Sequence, residues 1–415
     1  MHRPLRGAEK WNFHRAWDRA SHCQAIALFH CRRFGKEDVP MTNIAVDQNK
    51  RARFVPAPDN RQILEPDAWA PLLVTKAEID AEIERMSSMP LEPGTARASL
   101  IVHPQSTSPG FGLAPGMALS VNVLNPGEET IINRDNANRV EFCIRGDGGF
   151  ARIGDRAFGV TQFDVWTVPS MMQRYYRNAS NTPLVWFSYS NVPLLDKLGI
   201  HYSDESGIAP AAILAERTLI EKTYNRDNAP DIAIGADGAR IRGYEYLVDI
   251  EAVKNGALHW AWQDVTPYLS HAPNDGKRTI MLLYNPATER RNGTTHSFFA
   301  TLTSWPAGEK RPVPPSGHRH SSFACNYHFL GRGSSIVDGE RFEWQAGDLM
   351  LSAPNWSEHA HGSSLEGASV LTIQDHPFQI GVEALIWQEK MDGPILTLGS
   401  EPGQAGYVGP RLAGD

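Results

Sequence analysis

The chain has 415 residues, 41% of them hydrophobic, with 35 Gly, 29 Pro and a net charge of −7. A chain of this size and apolar content buries a core, which excludes wholesale disorder. The acidic balance argues against a nucleic-acid partner, and no apolar run approaches the ~20 residues of a membrane span. Cys23, Cys31, Cys143 and Cys325 are too few for a disulfide framework and lack C-x-x-C spacing, which points to a reducing compartment, the cytoplasm.

Residues 1–40 hold eight Lys/Arg and four Asp/Glu, a net positive segment in an acidic protein. It lacks the apolar stretch of a secretory signal. The expectation is a poorly ordered extension, with Met41 opening a more ordinary start. Residues 41–95 read as an N-terminal helical or extended segment, helical over Thr75–Met86 (KAEIDAEIERM from Lys76).

The remainder is organised by a repeat. Gly146-Asp147-Gly148 matches Gly331-Arg332-Gly333, and Pro169 matches Pro354, each pair 185 residues apart. Gly154-Asp155-Arg156 and Gly339-Glu340-Arg341 follow in the same order, and both copies close alike, on WFSYSNVPLLDKLGI and LTIQDHPFQIGVEAL. Each copy is a series of short apolar runs, such as ALSVNVL, VEFCIRG, FDVWTVP and ACNYHFLG, separated by Gly, Pro and Asp-Gly turns. Such spacing predicts antiparallel strands in a sandwich or barrel. Val337-Asp338-Gly339-Glu340 is a hairpin signal. The copies span 96–205 and 277–400. Residues 206–276 form a connecting segment, with helical pattern over Pro210–Tyr224, too aromatic at His259-Trp260-Ala261-Trp262 for a bare linker; it is expected to pack on the barrels. Residues 401–415 are a tail.

The chemistry concentrates in the second copy. In Gly317-His318-Arg319-His320, residues i and i+2 of a strand face one way, so His318 and His320 present two imidazoles together. Past Gly347-Asp348, the run Pro354-Asn355-Trp356-Ser357-Glu358-His359-Ala360-His361 places His359 and His361 on one face again. If the two strands are neighbours, three or four imidazoles converge, a donor set suited to Fe, Zn, Cu or Ni. Cys325 reads as a small core residue, and His328 as too far along its strand for ligation.

Both copies resemble cupin domains. The residues PAGEKRPVPPSGHRHSS, GERFEWQAGDLMLSAPNWSEHAH and VLTIQDHPFQIGVEAL make residues 75–400 similar to the bicupin gentisate 1,2-dioxygenase group, with its salicylate and 1-hydroxy-2-naphthoate dioxygenases. The resemblance implies an all-β chain of two tandem jelly-roll cupin barrels with short helical connections. It implies Fe(II) held by His318, His320 and His359, and extradiol-type ring cleavage by O2 of a hydroxylated benzoate, with or without an amino or nitro group. No carboxylate follows the HxH from Ser321 to Asn326, so the metal would carry three neutral ligands and keep open positions for a 2-hydroxy acid and O2. His361 is then expected as a donor or acid/base toward substrate oxygen. Asp375 is a candidate because the group often carries an acid on the exit strand. The group grips the substrate carboxylate with an Arg where this chain has Asn326, a candidate catalytic and substrate-binding residue expected to make a single weaker contact as a neutral donor. Arg290 and Arg291 are therefore the expected clamp, with Lys277 and Arg278 as further cations.

An offset of 185 carries the ligands onto Asn133, Asp135 and Arg174, and His361 onto Tyr176. A cation at the third position repels a metal, so the first copy is expected to be a degenerate cupin without one. The resembled group usually carries its iron in the first cupin. The expected partners are a small aromatic acid, O2 and further copies of the chain in a dimer or tetramer. A cupin lyase or isomerase using the same histidines, and a non-catalytic metal- or ligand-binding bicupin, are the alternatives.

Overall fold

A computed structural model describes residues 69–91, 97–204, 226–234, 236–269 and 278–406. The expectations for residues 1–40, for Pro210–Tyr224 and for Lys277 lie outside the described residues.

Helix α1, Lys76–Ser88, starts at Thr75, whose hydroxyl accepts from the Glu78 N–H while the Glu78 carboxylate accepts from the Thr75 N–H. Its apolar positions Ile79, Ile83 and Met86 recur at helical spacing and are buried. Most of the other regular structure among the described residues is strand. The first barrel comprises β1 (Arg97–Ile101), β2 (Ala118–Leu124), β3 (Arg139–Arg145), β4 (Asp147–Ile153), β5 (Arg156–Thr161), β6 (Val165–Val168), β7 (Arg174–Asn178) and β8 (Leu184–Ser190). The second comprises β9 (Thr279–Leu282), β10 (Phe299–Trp305), β11 (Arg319–His320), β12 (Ala324–Val337), β13 (Glu340–Gln345), β14 (Leu349–Ala353), β15 (His359–Gln374) and β16 (Ile386–Gln388). Every strand pairing is antiparallel. The hairpin expected at Asp338-Gly339 joins β12 to β13, pairing Val337 with Glu340.

The main sheets are built alike. One runs β6-β3-β8-β2-β1 and the other β14-β12-β15-β10-β9. Each is extended at its β6 or β14 edge by a short strand that precedes the opposite barrel. Leu72–Val74, ahead of the first barrel, pairs with β14 of the second. His259–Trp260, ahead of the second, pairs with β6 of the first. The exchange covers edges that would otherwise expose unpaired N–H and C=O groups.

One buried apolar cluster serves both barrels. It joins Phe142, Phe187 and Tyr189 of the first to Phe298, Phe323, Tyr327 and Phe329 of the second, with Ile79, Ile83 and Met86 of α1. Phe142 meets Tyr327 and Phe329 at ring-centre distances of 5.8 and 5.6 Å. Within the connecting segment, Trp260, Trp262 and Val265 pack on this cluster. Its hairpin Asp231–Ile234/Ala239–Arg242 stands largely in solvent.

Candidate metal centre

His320 sits on β11 and His359 opens β15; His318, just ahead of β11, is bridged to His359 through the backbone. Gly317 permits that approach, because a Cβ there would lie 2.3 Å from the His359 carbonyl oxygen. Arg319 points the other way, lying over the Trp356 ring at 4.7 Å and donating from Nε to Gln388 Oε1 at 2.7 Å. Glu358, between the two strands' histidines, accepts from the Gly317 N–H at 2.8 Å and so ties the loop.

His318, His320 and His359 each offer a ring nitrogen within 4.8 Å of the others. Hydrogen bonds assign the tautomers of two of them. His320 Nδ1 lies 2.9 Å from the Ser322 carbonyl, and His359 Nδ1 lies 2.9 Å from the Ser357 carbonyl. A carbonyl only accepts, so each Nδ1 carries the hydrogen and each Nε2 keeps its lone pair. His320 Nε2 is buried and has no partner among the described residues. His318 stacks flat on Trp387, ring centres 4.7 Å apart. Burial, reinforced by the neighbouring His359, holds His318 and His320 well below the usual imidazole range, and burial lowers His359. Three neutral imidazoles with an orphaned lone pair are what a divalent first-row metal requires, and the residues fit such an ion.

The site opens on a cavity of about 240 Å³ lined by Arg278, Phe299, Asn326, His361, Val370 and Trp387 among others. His361 accordingly stands beside the triad, its ring centre 5.6 Å from that of His359. Asn326 lines the cavity with its Nδ2 donating to Ser352 Oγ at 2.8 Å, which engages one of its two amide hydrogens. Asp375 lies behind the wall. Its Oδ1 accepts from the Phe323 N–H at 3.0 Å and its Oδ2 from Gln379 Nε2 at 3.2 Å, and burial pushes it up to about 7.

Arg290 and Arg291 are not among the cavity residues. Arg290 is exposed, bonding the Ile380 carbonyl at 3.3 Å and Glu383 at 3.4 Å, and Arg291 lies against Gly381. Arg278, just ahead of β9, is the Lys or Arg that lines the cavity among the described residues, and its charge helps lower His318, His359 and His361. His328 also faces inward, stacked on Trp344 at 3.9 Å, and burial pushes it down to about 3. Two participants carry no signal in the sequence. His376, the first residue of a short helix after β15, lines the cavity 5.1 Å from the His320 ring centre, and Trp344 forms the wall behind His328. Neither sits at a spacing that marks a site.

In the first barrel the equivalent positions hold an ion network. Asp135 Oδ2 accepts from Arg174 at 2.8 Å and also from Arg139, and the Tyr176 hydroxyl donates to the buried Glu141 at 2.6 Å. Guanidinium groups supply positive charge there, and the His318, His320 and His359 set is the candidate metal cluster found among the described residues.

Fold and site together define a protein of two cupin barrels with a three-histidine metal site in the second. No family model matches the chain. It is 23% identical over 296 residues to 1-hydroxy-2-naphthoate 1,2-dioxygenase of Nocardioides sp. strain KP7, covering 68% of this chain and 69% of that protein. It is 22% identical over 301 residues to 5-aminosalicylate 1,2-dioxygenase of Comamonas sp., covering 69% of this chain and 72% of that one. Salicylate 1,2-dioxygenase from Pseudaminobacter salicylatoxidans shares the fold, with a TM-score of 0.61 at 12% identity, covering 92% of this chain and 99% of that one. The chain is thus similar in sequence to bicupin ring-cleaving 1,2-dioxygenases and shares their fold.

Proposed function

We propose that the protein is an Fe(II)-dependent dioxygenase that opens the ring of a hydroxylated benzoate with O2. The observation that carries this reading is the convergence of three neutral imidazoles, with one buried lone pair unpartnered, on a cavity whose wall bears Arg278. At about 240 Å³ the cavity lies below the usual range of about 300–1,000 Å³ for ligand pockets, which suits a single-ring acid. His318, His320 and His359 would hold the iron, which when bound supplies Lewis acidity and a path for electrons from substrate to O2. The chain's own residues do the rest. Arg278 pairs with the substrate carboxylate, a strong charge-assisted contact in a largely apolar wall. Ile280, Phe299 and Val370 flank the ring and exclude water. Self-association belongs to the same proposal, supported by Ile232, Ile241, Leu247, Ile250 and Val253, which the connecting segment leaves exposed.

The test is anaerobic loading with Fe(II), then oxygen-electrode assay over a panel of hydroxybenzoates. Oxygen uptake with a ring-opened product is expected. Turnover that continues without O2 would replace this reading with a lyase or isomerase, and metal binding without turnover would leave a binding protein.

A further inference from the structure

The hydrogen bonds at the back of the cavity sort its imidazoles into two kinds. His320 and His359 give their Nδ1–H to carbonyls and turn a lone pair inward. Behind His361 and His376 stand serine hydroxyls instead. Trp344 Nε1–H, which can only donate, gives its hydrogen to Ser335 Oγ at 2.9 Å. Ser335 Oγ lies 2.7 Å from His361 Nδ1, and its single hydroxyl hydrogen is available to that nitrogen. On the other side, His320 Nδ1–H also reaches Ser322 Oγ at 2.9 Å, and that hydroxyl lies 2.7 Å from His376 Nδ1 with its hydrogen available to it. With each hydroxyl giving its hydrogen to the ring, Nδ1 accepts, and in a neutral ring the hydrogen then sits on Nε2. Both residues line the cavity, and no group among the described residues takes either Nε2.

We propose that Ser335 and Ser322 are positioning residues that hold His361 and His376 as Nε2–H donors on either side of the metal ligands, where they receive the oxygen atoms of the bound aromatic acid. Neither ring is then a metal ligand, since its inward nitrogen has no free lone pair. The pair supplies neutral, fixed donors in a cavity where Asn326 gives one of its two amide hydrogens to Ser352. They complement Arg278, which neutralises the carboxylate, by fixing how the ring lies. The identity of the ligand rests on the ring-cleavage reading above; the tautomers do not.

The test uses the full chain labelled with 15N-histidine and loaded with Zn(II) as a diamagnetic stand-in, with His361→Gln and His376→Gln assigning the resonances. Protonated Nε2 and bare Nδ1 are expected at His361 and His376, and protonated Nδ1 at His320 and His359. A protonated Nδ1 at His361 or His376 overturns the proposal. Ser335→Ala should shift His361 to mixed tautomers and lower kcat about 10- to 100-fold at unchanged metal content. A Ser335→Ala protein whose His361 resonances do not move also overturns it. The nitrogen spectra need no substrate. A wild type that shows the expected tautomers but consumes no oxygen therefore discards the ring-cleavage reading and keeps the positioning roles.

Discussion

The backbones of His318 and His359 exchange two hydrogen bonds, His359 N–H to the His318 carbonyl at 3.0 Å and the reverse at 3.3 Å. Asn133 and Arg174, each 185 residues earlier, exchange the same pair at 2.9 and 3.3 Å. The strand mouth that assembles a metal site in one barrel is therefore intact in the other. Only the side chains it carries differ, and there a guanidinium and a carboxylate meet where imidazoles would.

That bridge depends on Gly317. A methyl group there would lie 2.3 Å from the His359 oxygen and 2.6 Å from its carbonyl carbon, so the two chains must part. Overpacking of this kind costs about 1–3 kcal/mol. Gly317→Ala should lower the melting temperature and weaken metal binding by roughly 10-fold, read by competition with a chelator. Unchanged metal affinity would show that the bridge does not set the ligand geometry.

The placement of cations predicts a division among arginines. Arg278→Gln should raise KM for a benzoate by about 10-fold or more, the worth of a hydrogen bond to a charged group, while a phenol without a carboxylate is unaffected. Arg290→Lys and Arg291→Lys should each leave KM within about twofold, since Arg290 is exposed and neither residue lines the cavity. Steady-state kinetics on the three variants decide it, and a raised KM in Arg290→Lys or Arg291→Lys alone would return the clamp to that loop.

Asp375 makes stability depend on pH. Its folded value, about 7, stands above the ordinary carboxylate value of about 3.9, so the folded state holds a proton that the unfolded chain has released. This group therefore costs stability as pH rises from about 4 to 7. Asp375→Asn keeps an acceptor for the Phe323 N–H and removes the titration. Its stability relative to wild type should improve by about 1–3 kcal/mol between pH 4 and pH 7, measured by denaturant titration at both. A difference that stays flat across that range would mean the carboxyl titrates normally.

The exchanged edge strands predict that the barrels do not stand alone. Residues 278–406 expressed by themselves lack Leu72–Val74 on β14 and expose Tyr327 and Phe329, which meet Phe142 in the intact chain. The fragment should aggregate, as exposed edges and apolar patches do. A monomeric fragment with a cooperative melt would contradict the shared core.

What the sequence determined by itself is local and periodic. Strands repeat every two residues, so H-x-H reads as two imidazoles on one face. The offset of 185 puts Asn133 and Arg174 in register with His318 and His359 through spacing alone, and the backbone bridges agree. The strand runs and Asp-Gly turns likewise identify two barrels. What only the tertiary structure decided is which distant segments the barrels bring to that face. Arg278 lies 40 residues before His318, and His376 lies 56 residues after His320. They reach one cavity because β9 is the edge strand of its sheet and the chain turns into a short helix after β15. Whether a carbonyl or a serine stands behind an imidazole, and which sheet edge lies open to Leu72–Val74 or His259–Trp260, is set in the same way. Those are contacts between segments far apart along the chain, and no periodicity within either segment encodes them.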